Sequence, residues 1–294
     1  MGARRCVHLE VSTVRLRRRR HDTETLEDAG TFEVIDLPAR HEASYLVCLE
    51  PWSDEMREAG DHKSRWYERA KGHGLRVKLA VNAADQPIGM IQYVPIDQSP
   101  AEGTDLYMIL CIWVHGYRSG VGNEQGRGIG TALLAAAEAD ARALGAMGIA
   151  AWGLTIPVWM KSAWFKKLGY QSVQRAKGRE LVWKPFAPHA EPPRWVNPRP
   201  VASGGDDHVH VVAFQSGWCP AANLVYERAK RAANELGDGV HFTTIDTMDR
   251  ETFVRFGHSD EVFVDGRPLQ RGAPPSYRAV KRRLGRKRRK HHSP

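Results

Sequence analysis

The hydrophobic positions of this chain fall into short blocks that change period along its length. Runs of alternating or continuous apolar residues at Phe32 to Asp36, Leu75 to Val81, Ile88 to Val94, Leu106 to Val114, Gly148 to Trp152 and Tyr170 to Val173 predict six strands. Between them, helical spacing at Arg40 to Leu49, His62 to His73, the Ala/Leu-rich stretch from Thr131 and Val158 to Leu168 predicts helices, the last stopped by Gly169. A second set follows residue 207. It holds a strand at Val209 to Phe214, a long amphipathic helix at Ala221 to Leu236, a strand at Val240 to Ile245 and a short helix at Arg250 to Phe256. It closes with a hairpin across Glu261 to Leu269 turning at Asp265-Gly266, and a helix from Ser276 to about Leu284. The stretch between the two sets carries six prolines from Pro185 to Pro200 and then Ser203-Gly204-Gly205, a linker by composition.

One turn in the first set carries chemistry. Gln125-Gly126-Arg127-Gly128-Ile129-Gly130 joins the strand ending at Val114 to the helix that opens near Thr131. Glycines allow backbone N–H groups to face a ligand, and the unpaired N–H groups of a helix's first turn favour an anion. No Gly-Lys-Ser or Gly-Lys-Thr follows, and no acidic residue ends a strand about 20 residues on, so nucleotide triphosphate and NAD sites are poor matches.

The Gln-x-x-Gly-x-Gly spacing into this helix resembles the pyrophosphate motif of the GNAT acetyltransferase family. Trp164-Phe165-Lys166-Lys167-Leu168-Gly169-Tyr170 resembles that family's Phe-Tyr-x-Lys-Leu-Gly-Phe segment, and Gln86 to Ile91 resembles its second-to-third strand hairpin. The resemblance covers residues 31–186. It implies an α/β (α+β) fold with a mixed, mostly antiparallel central sheet flanked by helices, and acetyl-CoA as co-substrate. It also implies a V-shaped gap between Leu106 to Val114 and Gly148 to Trp152. There, the backbone of Ile112, Trp113 and Val114 would hold the pantetheine, and Gln125, Gly126, Arg127, Gly128, Ile129, Gly130 and Thr131 the pyrophosphate, with Arg127 adding charge.

Direct transfer to an amine needs a base for the acceptor's proton and an acid for the leaving thiolate. The family's acidic Tyr corresponds to Phe165, which has no proton to give. Alternation along the central strand puts Cys111, Trp113 and His115 on one face, so His115 is the candidate base, with Cys111 beside it and Tyr170 the candidate acid. The acceptor is a small-molecule or peptide amine, and Trp52, Trp66 and Tyr67 lie where the family closes over it.

The order β-α-β-α-β-β-α beyond residue 207 resembles a thioredoxin-like fold, with Trp218-Cys219-Pro220 where such folds carry an active-site cysteine, and the pairing with a GNAT domain resembles the YoaP-like acetyltransferases of bacteria. A helix N-terminus there would activate the Cys219 thiol. Ala222 replaces a resolving cysteine, which disfavours dithiol chemistry. His208 and His210 share one strand face without an acidic or cysteine partner at ligand spacing, and no metal is expected.

The chain has 294 residues, 42% of them hydrophobic, and a net charge of +9. Nine cations between Arg278 and Lys290, with no acid among them, match that excess, so the remainder is neutral. Nucleic acid is therefore expected only through this basic end. No run approaches the ~18 apolar residues of a membrane span, the arginines at 17–20 lead into no apolar segment, and Cys6, Cys48, Cys111 and Cys219 form no disulfide framework; a cytoplasmic protein is expected. No pattern specifies an oligomeric state. The expected organisation is a basic, disordered extension at 1–30, an acetyltransferase domain at 31–186, a linker at 187–207, a thioredoxin-like module at 208–284 and a basic tail at 285–294. The competing reading is a non-catalytic acyl-CoA-binding protein whose C-terminal half docks a partner or RNA.

Overall fold

The computed structural model describes residues 31–291 apart from 157, 158, 205, 206 and 271. The expected N-terminal extension, the predicted helix start at Val158 and the last three residues lie outside them.

The first set of elements runs β1 (Phe32–Asp36), α1 (Glu42–Leu46), α2 (Asp54–Glu58), α3 (His62–Lys71), β2 (Arg76–Asn82), β3 (Pro87–Pro95), β4 (Ala101–Glu102), β5 (Leu106–Val114), α4 (Ile129–Ala143), β6 (Gly148–Leu154), α5 (Ser162–Lys167), β7 (Gln171–Ala176) and β8 (Arg179–Pro185). Seven of the strands form one sheet in the order β1-β2-β3-β5-β6-β8-β7. Every pairing is antiparallel except β5 with β6. Such a sheet needs both faces covered, and its strands supply apolar residues to each. Tyr45, Trp66, Met90, Met108, Leu110 and Cys111 pack on one face beneath α1 and α3. Ile91, Ile109, Ile112, Leu133, Phe165 and Val182 pack on the other beneath α4 and α5. Leu110 and Cys111 lie consecutively on the first face because a bulge shifts the β3–β5 register between Gln92 and Tyr93.

Two predicted elements change shape and one strand is added. The helix expected over residues 40–49 is a 3-10 turn (Ala39–His41) and the short α1, ended by the positive φ of Cys48 (52°) and Leu49 (65°). The helix expected from 158 starts at Ser162. A Cβ on Gly153 would meet the Ser162 backbone at 2.6 Å, so the chain folds back against β6 before it turns helical. The strand β8, absent from the sequence reading, pairs with both β6 and β7.

The proline-rich stretch is ordered against both sets. β9 (Arg194–Trp195) pairs antiparallel with β4, Val196 is buried, and the Arg199 N–H donates to the Phe256 carbonyl. The second set follows as β10 (Val209–Gln215), α6 (Pro220–Leu236), β11 (Val240–Asp246), α7 (Arg250–Phe256), β12 (Val262–Val264), β13 (Arg267–Pro268) and α8 (Tyr277–His291). Its sheet order is β11-β10-β12-β13, with β10 and β11 parallel and the rest antiparallel. The described residues from Phe32 onward form one compact unit.

The expected basic tail continues α8 as far as His291. Val280 and Leu284 bury one face against α6, Lys281 pairs with Glu235 and Lys287 with Asp265.

Candidate active site

Parallel pairing of β5 with β6 runs from Leu106 with Gly148 to Ile109 with Ala151 and stops there. Beyond that point the strands diverge, so the edge of β5 from Leu110 to Val114 has no strand beside it. Alternation assigns this edge. His115 N–H donates to Ile88 of β3, while the carbonyls of Leu110 and Ile112 accept from groups on the β6 side, so Ile112 and Val114 direct their N–H groups at the gap. Trp113 is paired with Met90, so its backbone faces β3 and does not serve the gap, contrary to the sequence expectation.

Two indoles occupy the gap. Trp152 Nε1 donates to the Leu110 carbonyl (2.9 Å) and Trp159 Nε1 to the Ile112 carbonyl (3.0 Å), with their rings edge to face at 5.4 Å. The sequence reading missed both residues, although two tryptophans flanking a glycine after a buried strand were a visible signal.

The glycine turn lies at the wide end of this gap. Gly126 (φ 84°) and Gly128 (φ 81°) both adopt the left-handed conformation that only glycine takes freely, and the space where their Cβ atoms would project is open. Gly128 is the N-cap of α4, a helix of 15 residues, so the N–H groups of Ile129, Gly130 and Thr131 lie in its first turn, where no intrahelical acceptor serves them. Gln125 folds back, its Nε2 donating to the Val114 carbonyl, and ties the turn to the end of β5. Arg127 pairs with Glu124 within the turn.

The three predicted catalytic side chains do not converge. Cys111 is buried on the α1/α3 face, where burial raises its thiol pKa well above the ordinary value. Tyr170 is buried on the opposite face, 5.3 Å from the Phe165 ring, and burial likewise raises its hydroxyl pKa; the sheet lies between it and Cys111. His115 is fully buried. Its Nδ1 bonds to the Gly122 carbonyl (2.5 Å), its backbone carbonyl accepts from Glu124, and the Trp52 ring stacks on it at 5.0 Å. Packed this way it anchors the loop leading into the glycine turn. Phe165, where the resemblance expects tyrosine, has no exposed surface.

Cys219 is the N-cap of α6, as expected, but burial pushes its thiol up to about 12, outweighing the Ala222 N–H that favours the thiolate. It is a protonated thiol at neutral pH, not an activated one. Among the described residues no group of three or more His, Cys, Asp or Glu is placed to hold a metal.

Several solved structures resemble the first set of elements. They include an acetyltransferase of the GNAT family from Staphylococcus aureus (14% identity, 53% of this chain and 100% of the other, TM-score 0.39). A second is a GNAT acetyltransferase from Brucella melitensis in complex with acetyl-CoA (18%, 55% and 92%, 0.38), and a third the PaiA N-acetyltransferase from Thermoplasma acidophilum in complex with coenzyme A (15%, 53% and 99%, 0.40). No curated protein matches the chain. Residues 37–170 match the model of the acetyltransferase (GNAT) family, and the strand gap and the glycine turn both lie inside this stretch.

Proposed function

We propose that the chain moves an acetyl group from acetyl-CoA directly to a primary amine. The observation that carries this reading is the coincidence of a strand gap with a glycine cradle at its wide end, both inside the matched stretch. The cradle fits a pyrophosphate, because its two left-handed glycines leave open space before a helix N-terminus. Acetyl-CoA supplies an activated thioester. The chain's own groups bind and orient it: the first-turn N–H groups of α4 hold the diphosphate, and the Ile112 and Val114 N–H groups edge the gap and polarise a carbonyl placed there. The amine nitrogen bonds to the thioester carbon, the carbon–sulfur bond breaks, and the proton lost from nitrogen ends on the departing sulfur.

We read the C-terminal module as thioredoxin-like and the whole as similar in layout to the YoaP-like acetyltransferases; the element order, with the parallel pair β10/β11 and the antiparallel β12/β13, supports this. Any nucleic-acid contact would use the basic α8. A cytoplasmic location is in keeping with the free cysteines, and among the described residues no helix is long and apolar enough to cross a membrane.

The test is calorimetric titration with acetyl-CoA, followed by thiol release with a panel of amines. Binding in the micromolar range that is lost in Gly128→Glu, with thiol release on adding an amine, is expected. Absence of binding to the folded wild type would remove the reading. Binding without release for any amine would favour an acyl-CoA-binding role without catalysis.

A further inference from the structure

A cavity of about 240 Å³ lies between the seven-stranded sheet and the C-terminal module. Val94 and Leu110 reach it from the sheet, Trp66 and Arg69 from α3, and Trp218 and Arg250 from the C-terminal module. Neither half encloses it alone. Leu110 places it beside the reaction gap, since this is the first residue of β5 beyond the last parallel pair, Ile109 with Ala151.

Three features of the wall point to a ligand. Arg250 donates to the Ser99 and Ala101 carbonyls and stacks over the Phe253 ring at 5.3 Å, yet no carboxylate among the described residues lies within 4.0 Å of it. Burial lowers the guanidinium pKa, and the more distant charges of Glu102 and Asp97 offset this only in part. Trp218, also in the wall, buries its indole N–H with no acceptor. An orphaned donor such as this indole is costly unless something accepts from it. Trp66, Val94, Leu110, Met248 and Phe253 make an apolar and aromatic part of the wall, and Ser216, Thr247 and Asp249 belong to its polar part. A volume of 240 Å³ equals roughly eight waters at the liquid's ~30 Å³ each, the size of a single amino acid and too small for an oligosaccharide.

We propose that this cavity is the acceptor site and that the acceptor is a free α-amino acid with an apolar side chain, its carboxylate held by Arg250 and the Trp218 indole. The proposal rests on the acetyl-transfer reading above and adds to it the class of acceptor. The side chain packs between Trp66 and Trp218, and Arg69, paired at 4.0 Å with Asp246 at the mouth, supplies a second cation. The C-terminal module is thereby part of the acceptor site.

The test uses the full chain without acetyl-CoA, so that it does not depend on the cofactor. Ligand-observed NMR would compare free phenylalanine and leucine with their decarboxylated amines, phenethylamine and isoamylamine. The amino acids are expected to bind and the matched amines to bind on the order of tenfold more weakly, the effect of losing a charge-assisted contact. Arg250→Met is expected to weaken amino-acid binding by a similar factor while the acetyl-CoA dissociation constant stays within about twofold, the site being separate. Since Arg250 also pins residues 99–101, Arg69→Met provides the parallel measurement if the first variant does not fold. Equal binding of amino acid and amine, no binding of either, or wild-type affinity in the folded variants would overturn the proposal. Loss of acetyl-CoA binding in the wild type would instead strike the acetyl-transfer reading.

Discussion

Asp140 on α4 and Arg76 on β2 meet in a two-pronged ion pair, Nε to Oδ2 and Nη2 to Oδ1 both at 2.8 Å. Tyr93 donates to the same carboxylate at 2.6 Å and Lys78 approaches at 3.4 Å. The pair fixes the helix whose first turn forms the cradle to the sheet whose strands form the gap. Burial works against the Asp140 charge, but the Arg76 and Tyr93 hydrogen bonds outweigh it and hold the carboxyl at about 2. A folded-state value below the unfolded one contributes stability above the unfolded pKa and loses it as pH falls through the folded value. Asp140→Asn is therefore expected to cost about 2 kcal/mol at pH 7, from a shift of nearly two units at ~1.4 kcal/mol each. Urea titrations from pH 7 to pH 2 should show the wild-type advantage shrinking below about pH 4. An advantage constant across that range would mean that the pair is not what holds the helix.

The two halves are joined by Arg228 of α6, nearly buried, which donates to Glu58 at 2.6 Å and to Glu55 at 3.0 Å, both on or beside α2. His62 reaches Glu227 at 2.6 Å in the same seam. Arg228→Met is expected to destabilise the chain by about 2 kcal/mol, the typical cost of removing a charged hydrogen-bonding partner. Arg228 lowers the Glu58 pKa, so this stabilisation is complete above the ordinary carboxylate range and fades as pH drops below it. Limited proteolysis reads the seam directly. Cleavage between residues 186 and 208 should quicken in the variant and in the wild type at pH 3 to 4, and equal rates would show that other contacts carry the junction.

Much of this fold was legible in the alternation of apolar residues. Leu106 to Val114 is a strand over the range its pattern marks, and Phe32 to Asp36 likewise, because each is a continuous or alternating run with polar flanks. β8 was overlooked although Lys177-Gly178, both at positive φ, make a hairpin turn before Leu181, Val182 and Trp183. The cradle was legible because backbone sites are written in glycines. The catalytic side chains were not, because alternation places His115 on a face without telling that Trp52 and the 115–124 loop pack against it. The acceptor cavity was beyond reach for the same reason: Leu110 and Arg250 are 140 residues apart and meet only after both sheets pack.

The raised thiol pKa of Cys219 makes a kinetic prediction. With its thiol pushed up to about 12, alkylation in the native chain at pH 8 should be on the order of 10³-fold slower than for a free thiol near 8.5, and should keep rising about tenfold per pH unit to pH 10. Mass spectrometry after brief iodoacetamide treatment gives the rate at this residue. A plateau near neutral pH would reveal an activated thiolate and restore thiol chemistry to the module.

Trp159 makes the sharpest test of the gap. Its indole holds the Ile112 carbonyl, a group on the strand edge that a pantetheine amide would otherwise donate to. A ligand entering the gap must displace a hydrogen bond with a net contribution of about 1 kcal/mol, or roughly fivefold in affinity. Trp159→Ala removes that competitor while leaving Trp152 on Leu110, so acetyl-CoA is expected to bind about fivefold tighter by this same estimate. In the wild type the ligand should also change tryptophan fluorescence, and in the variant that change should shrink, since one of the two displaced indoles is gone. Weaker binding in the variant would mean that Trp159 is a wall the ligand packs against, and that the gap is occupied without being blocked.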